Sequence, residues 1–342
     1  MRIPPLTNET PLPWALAVTL ALAACGGSDD RALFSELDRL RVLAVRSEPA
    51  DLAVGEVATL SALTYEPDQR ELEYAWSWCP SRQELADGGA CRIEEEDLRR
   101  AWDTLDTGRE LPPYDLGSNR EAGLTNVFGA DVLSPLCAAL SAEKADPEQA
   151  ALSCLLDLGV SVSLSVRSPE QELTAVKRLV LLEGDIDASE RNQNPAPTGE
   201  LLVRDVQEDR LIEEGGSLVA DHEYDLRLVL DESLSEPFLP SAPAGAGMGE
   251  SRRETLVMSW FVTEGSFPSA DGFGDGGGPL GDGGGERTTF VDGQNDFGAL
   301  LVNRWRLPRR LDSSEATLVL VLRDERGGVG WAEHRYALGA SE

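Results

Sequence analysis

Cys25 is the residue best placed for chemistry. It closes an apolar run, Trp14 to Ala24, and Gly26, Gly27, Ser28 and two aspartates follow it. Four further cysteines, Cys79, Cys91, Cys137 and Cys154, contain no Cys-x-x-Cys, and His222 and His334 lie far from them in sequence. Disulfides are expected there rather than a zinc site. Local spacing favours Cys79–Cys91 and Cys137–Cys154, with crossed pairings left open. Asp292, Gln294 and Asp296 alternate, and Asp271, Asp275 and Asp282 lie upstream. These are hard oxygen donors of the kind calcium takes, so Asp292 and Asp296 are candidate calcium ligands. The match is partial, because the glycine falls at the wrong position and no spaced glutamate closes the loop. A solvated acidic loop is the competing reading, and no other cofactor is expected.

Catalysis has little to work with. The chain contains no Gly-x-Ser-x-Gly, no phosphate loop and no His-Glu-x-x-His. A serine triad would have to use His222 or His334. A glycosidase needs only two carboxylates at the right separation, and with 61 acidic residues that route stays open as the lesser alternative. A non-catalytic module is expected. The formal charge of −31 disfavours nucleic acid as a partner and allows divalent cations or basic proteins. It also keeps an exposed protein dispersed. Lys144 and Lys177 are the only lysines.

The elements that would carry these residues are mostly strands. Residues 41–45 lead into a strand over 57–65, and Tyr74, Trp76 and Trp78 share one face of the next. Val160, Val162, Leu164 and Val166 alternate with serines, the pattern of a half-buried strand. A turn at Ser168-Pro169-Glu170 leads into residues 173–182. The second half repeats this order. Residues 201–206 and 224–230 read as strands, Met258, Trp260 and Val262 mirror the first aromatic strand, and Leu318, Leu320 and Leu322 mirror Val162, Leu164 and Val166. Strands with one apolar face bury it against a second sheet, and each tryptophan is expected in a core.

The expected fold class is therefore mainly β, with two tandem immunoglobulin-like antiparallel sandwiches over 40–185 and 199–342 and a linker at 186–198. The first sandwich carries a helical, disulfide-stapled insertion at 79–158. Leu98 and Trp102, four apart, predict an amphipathic helix within 93–105. Ser134-Pro135 and Asp146-Pro147 each place a capping residue before a proline at the first helical position. The second of these helices should end at a left-handed Gly159 and pack antiparallel to the first, placing Cys137 opposite Cys154. Residues 233–250 and 265–286, rich in Gly, Pro, Ala and Asp, predict flexible loops.

Leu22-Ala23-Ala24-Cys25 resembles a bacterial lipobox, with residues 1–24 as signal peptide and 25–39 as lipidated Cys and spacer. The apolar run is far shorter than the roughly 20 residues of a membrane-spanning helix. With Trp-Ser-Trp-Cys-Pro at 76–80, the whole chain resembles the tandem-sandwich outer-membrane lipoproteins of GC-rich, myxobacteria-like species. That resemblance implies attachment to the membrane through lipid on Cys25. Gly26, in place of an inner-membrane retention aspartate, points to the outer membrane, on its periplasmic or cell-surface face. It transfers no catalytic residue. Loops held by a rigid scaffold are where a protein or glycan partner would bind, and a calcium-dependent adhesion module is the alternative.

Overall fold

The computed structural model describes residues 35–81, 90–142, 144–157, 159–182, 190–238, 251–267, 289–291 and 301–339. The first sandwich begins with β1 (Arg41–Glu48), β2 (Asp51–Leu52), β3 (Val57–Tyr65) and β4 (Glu73–Cys79). It continues through α1 (Glu95–Asp103), β5 (Asp115–Gly117), β6 (Ala122–Thr125), α2 (Ala130–Ser141) and α3 (Pro147–Asp157), and closes with β7 (Ser161–Arg167), β8 (Glu172–Arg178) and β9 (Val180–Leu181). One sheet has the order β1-β3-β6 and the other β5-β4-β7-β8. Alternation puts Ala58, Leu60 and Ala62 of β3 and Trp76, Trp78, Val162, Leu164 and Val166 of β4 and β7 into one core between them.

The second sandwich runs through β10 (Glu200–Asp205), β11 (Arg210–Ile212), β12 (Ser217–Val219), β13 (Glu223–Val229), β14 (Pro237–Phe238), β15 (Arg252–Arg253) and β16 (Leu256–Val262). It ends with β17 (Thr289–Val291), β18 (Leu301–Arg306), β19 (Glu315–Asp324) and β20 (Val329–Gly339). Its sheets are β11-β10-β13-β18 and β12-β20-β19-β16-β17. The repeat seen in sequence is thus a repeat of topology. β5-β4-β7-β8 corresponds strand for strand to β17-β16-β19-β20, and β1-β3-β6 to β10-β13-β18. Even the short parallel pairing of β2 with β9 recurs as β12 with β20. The fold is mainly β, two immunoglobulin-like sandwiches in tandem.

Buried tryptophans hold the loops as well as the cores. Nε1 of Trp76 donates to Asn119 O (3.0 Å), that of Trp78 to Pro113 O (2.7 Å) and that of Trp305 to Glu264 O (2.9 Å). A large apolar ring with a single donor at its edge can serve both purposes.

Residues 79–158 hold more than the helices expected of them, because β5 and β6 in their midst belong to the two sheets. The helices split around these strands. Leu98 and Trp102 of α1 and Val132 and Leu136 of α2 enter the first core. Phe128 keys them in, with its ring 5.7 Å from both Trp78 and Trp102. Two expectations are corrected here. Ser134-Pro135 does not start α2, which begins at Ala130 behind Gly129. The apolar residues Phe128, Val132 and Leu136, four apart, draw the helix back by a turn, and Pro135 is tolerated on the exposed side. The end of α3 at Asp157 needs no left-handed glycine, and Gly159 is absent from the positive-φ residues. Asp146 does cap α3, accepting from Gln149 N at 3.1 Å.

Three boundaries also move. Residues 35–39, expected as spacer, are structured: Leu37 N donates to Val262 O (2.8 Å) and Val262 N to Ser35 O (3.0 Å). Residues 233–238, expected as loop, form a 3-10 turn and β14, with Ser235 Oγ donating to Glu254 O at 2.8 Å. Residues 265–267 are tied down by paired backbone bonds between Ser266 and Arg306, and Phe267 is buried. The rest of both excursions, 239–250 and 268–286, lies outside the described residues.

Candidate functional site: the interdomain seam and the stapled cap

The cysteines form two bridges, Cys79–Cys91 and Cys137–Cys154, with Cα separations of 5.7 and 5.5 Å. The first ties the end of β4 to the approach of α1, and the second joins α2 to α3. Together they staple a cap whose helices border a groove of about 780 Å³, lined by Asp97, Arg100, Ala139 and Lys144 among others. Cys25, Asp292 and Asp296 lie outside the described residues. Among the described residues, each histidine pairs with a carboxylate. His222 Nδ1 lies 2.7 Å from the buried Asp205, whose other oxygen accepts from Gln207 N and Glu208 N. This is the closure of a turn. His334 faces Glu214 at 3.3 Å. Among the described residues no helix is long and apolar enough to cross a membrane.

The largest feature that sequence reasoning missed is the seam between the sandwiches. The outer face of β1 and β3 presents Leu43, Ala44 and Leu63, and Leu37 joins them from the segment ahead. Opposite stand Phe261 of β16, Val319 and Val321 of β19 and Val329 of β20, all on the face turned away from their own core. A β-bulge in β1 between Val42 and Ala44 turns Leu43 out toward this seam. Its carbonyl accepts from Arg323 Nη2 of the second sandwich at 2.7 Å.

A polar cluster continues the seam. The segment 190–198, expected as a linker, is a strap bound to both sandwiches. Arg191 binds Asp51 (Nε–Oδ1, 3.0 Å) and grips Glu56 with two bonds of 2.8 and 2.7 Å. Asn192 N donates to Asp51 Oδ2 (2.8 Å), and its side chain reaches Asp324 at 3.4 Å. Asn194 donates to Ser47 O and accepts from Val329 N. Lys177 of β8 crosses to Gly327 O at 2.6 Å. Arg326 pairs with Glu254 and Glu236, and both Arg326 and Arg252 lie over the ring of Phe238. Gly328 and Gly330 let the strap approach, because a Cβ on either would meet the carbonyl of Gln193 or Pro195.

Burial sets the protonation of this cluster. It pushes Glu254 up to about 7, with Asp324 adding and Arg326 opposing. It raises Asp324, against bonds from Gly328 N and Asn192. It pushes Lys177 down to about 8, with Asp324 opposing. An acid whose folded value is raised binds its proton more tightly when folded, so its contribution to stability grows as pH falls from that value to the unfolded one. Relative to Glu254→Gln, the wild type should therefore gain up to about 3 kcal/mol on going from pH 7 to pH 4.5. Urea unfolding of both proteins across that range measures the difference. Parallel pH profiles would remove Glu254 from the account.

No protein-family model and no curated protein matches the chain. Among solved structures it is similar to three N-terminal domains of the highly immunogenic outer capsid protein of bacteriophage RB49. The identity is 12%, over 89% of this chain and 71% of that one, with a TM-score of 0.20. It is similar to E. coli alpha-2-macroglobulin at 8% identity and a TM-score of 0.21, covering 89% of this chain but only 17% of that one. A titin Z1Z2 tandem chimera gives 8% identity, 89% and 100% coverage, and a TM-score of 0.20. Overlaps this loose say nothing about function, and the fold assignment rests on the strand order itself.

Proposed function

We propose that this chain is a non-catalytic, lipid-anchored module of the bacterial cell envelope. Its two sandwiches act as one rigid support, and the stapled cap is the surface offered to a partner. The observation that carries this reading is the seam. An apolar layer and a charged strap fix the sandwiches to each other, which a flexible tandem does not need and a scaffold that presents a binding surface does. The two disulfides fit an oxidising compartment. The anchor is assigned to Cys25 on the Leu22-Ala23-Ala24-Cys25 pattern, with Gly26 favouring the outer membrane. Because folding begins by Ser35, few residues separate that anchor from the seam, and the module would stand close to the bilayer.

Metabolic labelling with a clickable fatty-acid analogue tests the anchor. The wild type should be tagged and retained in the membrane fraction, and Cys25→Ala should lose both properties. Equal labelling of the two proteins would refute the lipid anchor.

A further inference from the structure

Beside the apolar layer of the seam a crevice of about 560 Å³ opens between the two sandwiches. This is within the range of pockets that take small molecules, and a junction between domains is a common place for one. The first sandwich supplies Arg46 from β1, Ser61 and Ala62 from β3, and Asn119, Arg120 and Glu121 from the loop between β5 and β6. The second supplies Trp331 from β20. Neither sandwich has the crevice alone.

Its parts are held in place from behind. Arg46 and Ser61 are opposite each other in the β1–β3 register. The loop is pinned by the bond from Trp76 Nε1 to Asn119 O, and it leads into Ala122, which pairs with Leu60. The Arg46 guanidinium lies 4.4 Å from the centre of the Trp331 ring, a cation–π stack across the seam.

The charge state of the crevice runs against the rest of the chain. Acidic residues outnumber basic ones 61 to 30, yet neither Arg46 nor Arg120 has a carboxylate partner among the described residues. Arg46 Nε is itself buried, without a hydrogen-bond partner among the described residues, so what Arg46 presents to the crevice is the Nη edge of a guanidinium, a group that favours carboxylates. Glu121 stands in the same lining, and it disfavours a bare inorganic anion, which brings charge and no hydroxyl. It suits a ligand that carries an anionic group and also donates O–H bonds. Ser61 and the Asn119 side chain offer further polar atoms, while Trp331 offers an apolar wall.

We infer that this crevice binds an acidic saccharide of about two rings. Arg46 and Arg120 take its carboxylate, Glu121, Asn119 and Ser61 its hydroxyls, and Trp331 packs against a ring's C–H face. The inference goes beyond the scaffold role and does not depend on the lipid anchor.

Calorimetric titration of the full chain in detergent tests it, with digalacturonate as the probe. The comparisons are the matching neutral disaccharide, inorganic phosphate and an oligoglutamate peptide. Digalacturonate should bind at least about tenfold more tightly than any of the three. Arg120→Ser, at an exposed position, should weaken it about tenfold or more without moving the melting temperature. Arg46→Lys keeps the charge and loses the planar fork, and should weaken it by a smaller factor. Trp331→Phe should also weaken it. Absence of digalacturonate binding, binding indifferent to Arg120→Ser, or equal affinity for phosphate or oligoglutamate would each overturn the assignment.

Discussion

Phe261→Asp is expected to separate the two sandwiches without unfolding either. Phe261 is 1% exposed and lies on the outer face of β16, while Trp260 and Val262 beside it point into the second core. An aspartate there cannot stay between Leu43, Val319 and Val321 without an uncompensated charge. If the seam opens, however, the carboxylate is hydrated and the second core is untouched. The loss is therefore capped at what the seam contributes, about 3–5 kcal/mol if it behaves as a buried phenylalanine site does. Calorimetry should show one melting transition in the wild type and two in the variant. The strap 190–198 should become a site of limited proteolysis. A single transition within a degree or two of wild type would mean that the apolar layer does not join the domains.

The seam was legible in the sequence, at strands whose two faces are both apolar. Val160 to Val166 alternates strictly with serine, and in β7 the apolar residues fill the core while Ser161 and Ser165 on the other face stay partly exposed. The equivalent strand of the second repeat, Thr317-Leu318-Val319-Leu320-Val321-Leu322, has no such polar alternation. Leu318, Leu320 and Leu322 fill the sandwich core, and Val319 and Val321 fill the seam. β16 shows the same feature, with Phe261 between Trp260 and Val262. A continuous apolar run signals burial on both faces, and matching only alternate residues between the repeats passes over it. The strand order, the aromatic core positions and the topological repeat all follow from period-2 patterning, which is local.

What was not legible depends on pairing across distance. Nothing in the composition of 190–198 distinguishes a strap from a linker, since Asn, Pro and Arg suit both. Its role comes from Asp51, Glu56 and Asp324, which lie more than a hundred residues away in sequence. Lys177 gave one oblique signal, being one of two lysines in a chain whose other basic side chains are arginines. The disulfide pairs were legible because each closes a short loop. The start of α2 was not, because the tertiary contacts of Phe128, Val132 and Leu136 outweigh the local preference of Ser134-Pro135 for a helix start.

The strap gives the second large expected effect. Arg191→Met should destabilise the protein by about 3 kcal/mol at pH 7, the low end for breaking a buried pair. Asp51 is the reason: its side chain is 5% exposed, and without Arg191 it keeps, among the described residues, only the bond from Asn192 N. Arg191 itself is one-fifth exposed, which lets water offset part of the loss. Adding Asp51→Asn should recover much of the deficit, because it removes the stranded charge, and the coupling in that double-mutant cycle measures the pair. The pH dependence has a definite sign. Glu56 is held below the usual carboxylate range by its bonds to Arg191, helped by the bond from Ala53 N. A carboxylate lowered in the folded state contributes stability above its unfolded value of about 4.3, and that contribution is lost as pH falls through the folded value. The gap between wild type and Arg191→Met should therefore narrow in acid. Urea unfolding at pH 7 and pH 3 tests this, and an equal gap at both would mean that Arg191 holds the strap by packing and hydrogen bonds to neutral groups, with no charge pairing at the seam.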